Sequence, residues 1–205
     1  MHSILSSRTL AGLAVAVSSI VGLTSCASEL TRTGDSPAFV IIDSIVGASG
    51  ADPEEFGTPL ASDVQTDGGT FNDLGRATMR LALRNPGSGT SPTAPSSLNT
   101  ITISRYRVEF RRTDGRNTQG VDVPFAFDGA ATVTIPAQGT ADVVFEVVRN
   151  QAKLEAPLRN LRGLGGSVII STIAEITFFG RDQVGNEVIA SGTLSVNFAD
   201  FADPD

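Results

Sequence analysis

One cysteine, one histidine and no tryptophan occur in 205 residues. A single cysteine cannot close a disulfide within the domain or build a thiolate metal site, so the fold must rest on its own core. Positive charge is also short. Fifteen Lys and Arg stand against 22 Asp and Glu, for a formal net charge of -7. Phosphate neutralisation needs a basic face, so nucleic-acid binding is disfavoured. Long apolar runs are nearly absent. The exception is residues 10–23, which hold only Leu, Ala, Val, Ile, Gly and Ser behind a single charge, Arg8. A membrane-spanning helix needs about 20 apolar residues, so this shorter run fits the apolar core of a signal peptide. The only histidine, His2, leaves with that segment. The mature chain then has no Ser-His-Asp triad, Cys-His dyad or His-ligated zinc site.

The run ends in Leu23-Thr24-Ser25-Cys26. An aliphatic residue and two small ones before cysteine resemble the lipobox of bacterial lipoproteins. The resemblance implies a signal peptide over residues 1–25, a diacylglycerol thioether on Cys26, and an acyl chain such as palmitate on the new amino terminus. One acyl chain binds a bilayer marginally, at about 0.8 kcal/mol per buried CH₂, whereas two or three hold it stably. The competing reading is an ordinary secretory peptide with a chance cysteine. Ala27 follows Cys26. In Gram-negative lipoproteins the absence of Asp there favours the outer membrane. Without Arg8 the mature chain keeps 14 basic against 22 acidic residues, a net charge of about −8.

Residues 26–37 read as the lipidated cysteine and a polar tether. Beyond it the pattern is strand. Residues 38–46 are a β-branched run. Residues 76–84 alternate, with Ala77, Met79, Leu81 and Leu83 on one face and Arg76, Thr78, Arg80 and Arg84 on the other. Residues 101–112 change face. Ile101 and Ile103 share one parity, while Tyr106, Val108 and Phe110 share the other, which predicts a bulge near Ser104-Arg105. Residues 131–135, 140–148, 168–179 and 187–198 complete about seven strands. Residues 47–75 and 85–99 read as long loops. Leu154, Leu158 and Leu161 around Pro157 predict one or two short helical turns. These signals define a single all-β domain over residues 38–200, with an acidic tail at 201–205.

Phe179-Gly180-Arg181-Asp182-Gln183-Val184-Gly185-Asn186 resembles the aspartate-x-x-Gly-Asn turn between the last two strands of bacterial immunoglobulin-like domains. The resemblance covers residues 168–198. It implies one immunoglobulin-like or fibronectin type III-like Greek-key β-sandwich, whose usual role is binding or spacing. The chain is longer than those domains, with the surplus in its loops. It lacks the tryptophan and disulfide of an antibody-type core.

Three site chemistries are weighed against blander readings. Calcium needs six to eight oxygen ligands. Asp63, Asp67 and Asp73 in the first long loop are candidates, as is Asp182 with Asn186 and Glu187; a solvated acidic loop competes. Arg105, Arg107 and Arg111 on one strand form a candidate anion-binding face for glycans, headgroups or phosphate. Cross-strand pairing with Glu175 or Glu146 competes. For catalysis, Lys153 is expected on a polar helical turn with no serine within one turn. No carboxylate pair is singled out for hydrolysis. The expectation is a non-catalytic binding or structural module, anchored to the cell envelope through Cys26. Its partner would be an envelope protein or glycan, contacted through residues 47–75 and 85–100, with no cofactor beyond the lipid. A carboxylate hydrolase and a calcium-dependent adhesin or glycan-binding protein are the alternatives.

Overall fold

The computed structural model describes residues 35–201. The lipobox, and the last residues of the acidic tail, lie outside the described residues. Ten strands form: β1 (Ala38–Ala48), β2 (Leu60–Asp63), β3 (Asp73–Leu83), β4 (Gly87–Ser88), β5 (Ser91–Pro92), β6 (Ile101–Arg111), β7 (Phe127–Ile135), β8 (Thr140–Val148), β9 (Ile170–Asp182) and β10 (Glu187–Ala199). The helical turns are α1 (Asn150–Lys153) and two 3₁₀ turns, Ser97–Asn99 and Leu158–Leu161. The fold is therefore all-β. The strand count is ten rather than about seven. All seven segments read as strands fall on strands, and the extra three are two to four residues long within the expected loops.

Sheet order is β1-β3-β8 in one sheet and β2-β10-β9-β6-β7 in the other, with β4-β5 as a separate ribbon. Pairing is antiparallel apart from β2 against β10. The alternation read from the sequence sets the inward faces. β3 buries Ala77, Met79 and Leu81; β9 buries Ile170, Ala174, Ile176 and Phe178; β10 buries Val188, Leu194, Val196 and Phe198. Each large apolar side chain so buried contributes roughly 1.5–3 kcal/mol. In β6 the register jumps between Ile103 and Arg105 against both neighbours: against β9 Ser104 is the extra residue of a bulge, and against β7 the surplus residue lies on β7, between Ala130 and Val133. That jump lets Ile103 and Tyr106 both face the core.

Tyr106 stitches the two sheets. Its ring lies 5.1 Å from that of Phe145 on β8, and its hydroxyl accepts the Glu146 backbone N–H at 3.2 Å. Gly129 on β7 leaves room for this ring, because a Cβ there would lie 2.3 Å from it.

Two expectations are corrected. Residues 47–75 are not an unstructured loop: Gly47 and Gly57 exchange backbone hydrogen bonds of 2.9 and 2.8 Å, and β2 adds to the five-stranded sheet. Lys153 is not on a polar face; Leu154 is exposed, while Lys153, Leu158 and Leu161 point inward.

The registers sort the connections into two ends. Ile135 opposes Ile101, which opposes Asp182; five residues after Ile135, Thr140 opposes Arg80, near Leu83, the partner of Ala38. Chain entry at Ser36, segment 84–100 and turns 136–139 and 183–186 thus share one end. Ala48 opposite Leu74, Asp73 opposite Val148, and Arg111 opposite Ile173 put segments 49–59, 112–126 and 149–169 at the other.

Candidate functional site on the five-stranded sheet

The outer face of β6 presents every second residue to solvent, and after the bulge these are Arg105, Arg107, Glu109 and Arg111. Arg105 and Arg107 both reach Asp128 on β7, with one nitrogen of each 2.8 Å from a different carboxylate oxygen. Arg107 also holds Glu109 at 2.8 Å, and Arg111 holds Glu175 on β9 at 3.2 Å. The Arg105 guanidinium stacks 3.8 Å above the Phe179 ring, which fixes its plane. Arg181 on β9 pairs with Glu187 on β10 at 3.2 Å. Between them lies a shallow recess of ≈ 330 Å³ floored by Phe179 and rimmed by Ser104, Arg105, Arg181, Glu187 and Ile189. The structure thus brings Arg105, Arg107 and Arg111 onto one face and gives each a carboxylate partner. An incoming anion would have to compete with those carboxylates.

The second arginine row is also committed. Arg80 pairs with Asp43 at 2.8 Å, Arg76 stacks 3.8 Å over Phe56, and Arg84 Nε donates to the Ser36 carbonyl at 2.9 Å.

The carboxylates nominated for calcium are dispersed. Asp63 accepts from the Thr66 hydroxyl at 2.7 Å and the Phe201 N–H at 3.0 Å. Asp67 sits in a turn with φ of 49°. Asp73 is buried in an ion pair. Asp182 organises the β9–β10 turn, where one oxygen accepts the Val184 and Asn186 N–H groups at 3.0 and 2.9 Å and the other accepts Asn186 Nδ2 at 2.8 Å. Burial would raise the Asp182 carboxyl. The Asn186 side chain, the Asn186 and Val184 N–H groups and the Ser36 hydroxyl outweigh that and hold it below its ordinary range. Among the described residues, no three His, Cys, Asp or Glu side chains gather around a common point.

Sequence reasoning missed one cluster. Lys153 Nζ donates to Asp73 Oδ1 at 2.7 Å, the Ser62 hydroxyl donates to Asp73 Oδ2 at 2.5 Å, and the Gly50 N–H donates to Oδ1 at 2.9 Å. Lys153, Asp73 and Ser62 are 1%, 0% and 0% exposed. Burial pushes the Asp73 carboxyl up, against the pull of the Lys153 ammonium and the other donors. The serine hydroxyl is spent on Asp73 rather than on the lysine, so the cluster lacks the nucleophile–base bond of a Ser-Lys site. Its geometry ties β2, β3, α1 and the segment after β1 together. No short-range signal could have exposed it, because Lys153 lies 80 residues from Asp73.

No protein-family description, curated protein or solved structure matches this chain.

Proposed function

We propose that this protein is a lipid-anchored component of the bacterial cell envelope that acts as a non-catalytic binding or structural module on an immunoglobulin-like sandwich. Leu23-Thr24-Ser25-Cys26 supports the anchor, and in a Gram-negative envelope Ala27 favours an outer-membrane address. The sandwich reading draws support from the connectivity: the chain passes between the β1-β3-β8 and β2-β10-β9-β6-β7 sheets five times, at β1 to β2, β2 to β3, β3 to β6, β7 to β8 and β8 to β9, and such repeated crossing is a feature of Greek-key domains.

The observation that carries the non-catalytic part is the charge ladder on β6, β7 and β9. Asp128, Glu109 and Glu175 are spread over a sheet face and bound to arginines, rather than facing each other across a cleft. Such a face suits passive contact with a protein or glycan. The lipid localises the module and the loops or the face engage the partner.

Cross-linking in the native envelope tests this, with wild type compared against Cys26→Ser. A reproducible partner held by the wild type and lost with the variant supports the module. Turnover of an envelope glycan or ester by the purified domain, abolished by one carboxylate substitution, contradicts it.

A further inference from the structure

The registers align one row of outward side chains across the five-stranded sheet. Ile189 on β10 opposes Phe179 on β9, which opposes Arg105 on β6. The Arg105 guanidinium lies over the Phe179 ring, 3.8 Å from its centre, and Ile189 beside it is 61% exposed. Polar rows flank this one on either side. In one, the Thr177 and Ser191 hydroxyls share a hydrogen bond of 3.1 Å next to Arg107. In the other, Arg181 holds Glu187 at 3.2 Å beside Thr102. We propose that this platform binds a neutral saccharide, with a sugar ring seated on the Arg105–Phe179 stack and Ile189 and its hydroxyls bonded to the flanking rows. This names the partner class of the module proposed above and rests on that reading.

A sugar ring is amphipathic in the same pattern. Its C–H groups make an apolar face, and its hydroxyls radiate from the rim. A guanidinium plane is weakly hydrated and, held on an aromatic ring, offers that face a flat seat. Residues two apart on a strand are separated by about 7 Å, so the polar rows stand where opposite rims of a seated ring would reach. An arginine beside a carboxylate presents donors and acceptors together, which suits neighbouring hydroxyls. The bulge at Ser104 supplies depth. Thr102 and Arg105 are three residues apart on β6, yet they face Arg181 and Phe179, two apart on β9. The surplus residue opens the recess of ≈ 330 Å³ between the central row and the Arg181–Glu187 pair.

Charge selects a neutral ligand. The outer faces of β6, β7, β9 and β10 carry four arginines and four carboxylates, and every one of these arginines holds a carboxylate. The chain as a whole has a formal charge of -7, so no long-range field draws an anionic polymer to this face. A protein partner fits less well than a sugar. The centre of a protein interface is apolar and poor in charge. The two exposed isoleucines of the face, Ile173 and Ile189, do not form such a centre. Ile189 opposes Phe179, which lies six residues along β9 from Ile173, so the two are about 20 Å apart, with Glu175 and Thr177 between them.

The test titrates the intact protein, in micelles of a sugar-free detergent, with chitohexaose, cellohexaose and maltohexaose, and with a heparin hexasaccharide as the anionic probe. Calorimetry and saturation-transfer NMR read the binding. Saturable binding of at least one neutral probe is expected, with an affinity little changed when ionic strength is raised to about 1 M, where the Debye length is about 3 Å. Phe179→Leu removes the ring beneath Arg105, and Thr177→Val with Ser191→Ala removes a hydroxyl pair that is exposed to solvent. Each should weaken binding severalfold. Circular dichroism reports whether each variant folds, and the hydroxyl variant decides the matter where Phe179→Leu does not. No neutral probe bound, binding undiminished in the folded variants, or binding confined to heparin overturns the platform. A partner still cross-linked in the envelope then leaves the module reading standing. Cleavage of a bound probe, abolished by Glu187→Gln, overturns the non-catalytic reading and the platform with it.

Discussion

Lys153 Nζ lies 2.7 Å from Asp73 Oδ1, and both side chains are closed to solvent. A buried pair of this kind is weak evidence for net stabilisation, but losing one partner strands the other charge in a dry interior. Lys153→Met should therefore cost about 3–5 kcal/mol in urea denaturation. Adding Asp73→Asn removes the stranded charge, keeps an oxygen acceptor for the Gly50 N–H and presents an amide N–H to the Ser62 oxygen, which then accepts. The double variant should be clearly more stable than Lys153→Met alone. A double variant no better than the single would show that the carboxylate is not the source of the loss.

Packing around Tyr106 gives a second expectation. A Cβ at Gly129 would sit 2.3 Å from the Tyr106 ring, whereas one at Gly57 would meet nothing within 4 Å. Overpacking of this sort costs about 1–3 kcal/mol, so Gly129→Ala should lower the melting temperature. Gly57→Ala should leave it unchanged or slightly raised, because alanine restricts the unfolded chain. Equal effects at the two positions would argue against Tyr106 as the clamp between the sheets.

The Asp182 turn should register in acid. Its folded carboxyl is held below the ordinary range. A carboxyl with a folded pKa below its unfolded value of about 3.9 contributes stability above that pH, and the contribution is lost as pH falls through the folded pKa. Melting temperature should drop below about pH 4 in the wild type, and less steeply in Asp182→Asn. Parallel curves for the two proteins would show that the turn's donors do not select the charged form.

For the arginine face, Arg105→Ala combined with Arg107→Ala should change stability little, because exposed ion pairs are screened by water and salt. Heparin affinity chromatography separates the roles. Retention equal to wild type marks the ladder as structural, and retention lost in the variant marks it as the ligand surface.

The sequence disclosed most of the framework for a simple reason. Where one strand face is buried, side chains alternate, and about seven strands were legible, most of them by that alternation and residues 38–46 by their β-branched run. The bulge at Ser104 was legible too, because parity flips between Ile103 and Tyr106. β2 was hidden: four residues, Leu60 to Asp63, carry too little periodicity inside a Gly- and Asp-rich stretch, and their partner, β10, lies far along the chain. β4 and β5 are too short to alternate. Lys153 looked like a surface residue because its burial depends on a carboxylate supplied by β3. The Asp182 turn was visible as a motif, but the motif alone could not say that its oxygens are spent on backbone and Asn186 donors rather than offered to a cation.

Anchoring at Cys26 is the central claim, and the intact mass of the protein purified from its native membrane tests it most directly. The expected species begins at Cys26 and carries the added mass of a diacylglyceryl group and an acyl chain. The Cys26→Ser protein should appear in the soluble fraction without that mass. A wild-type chain that starts elsewhere, bears no lipid and fractionates like the serine variant would contradict the claim.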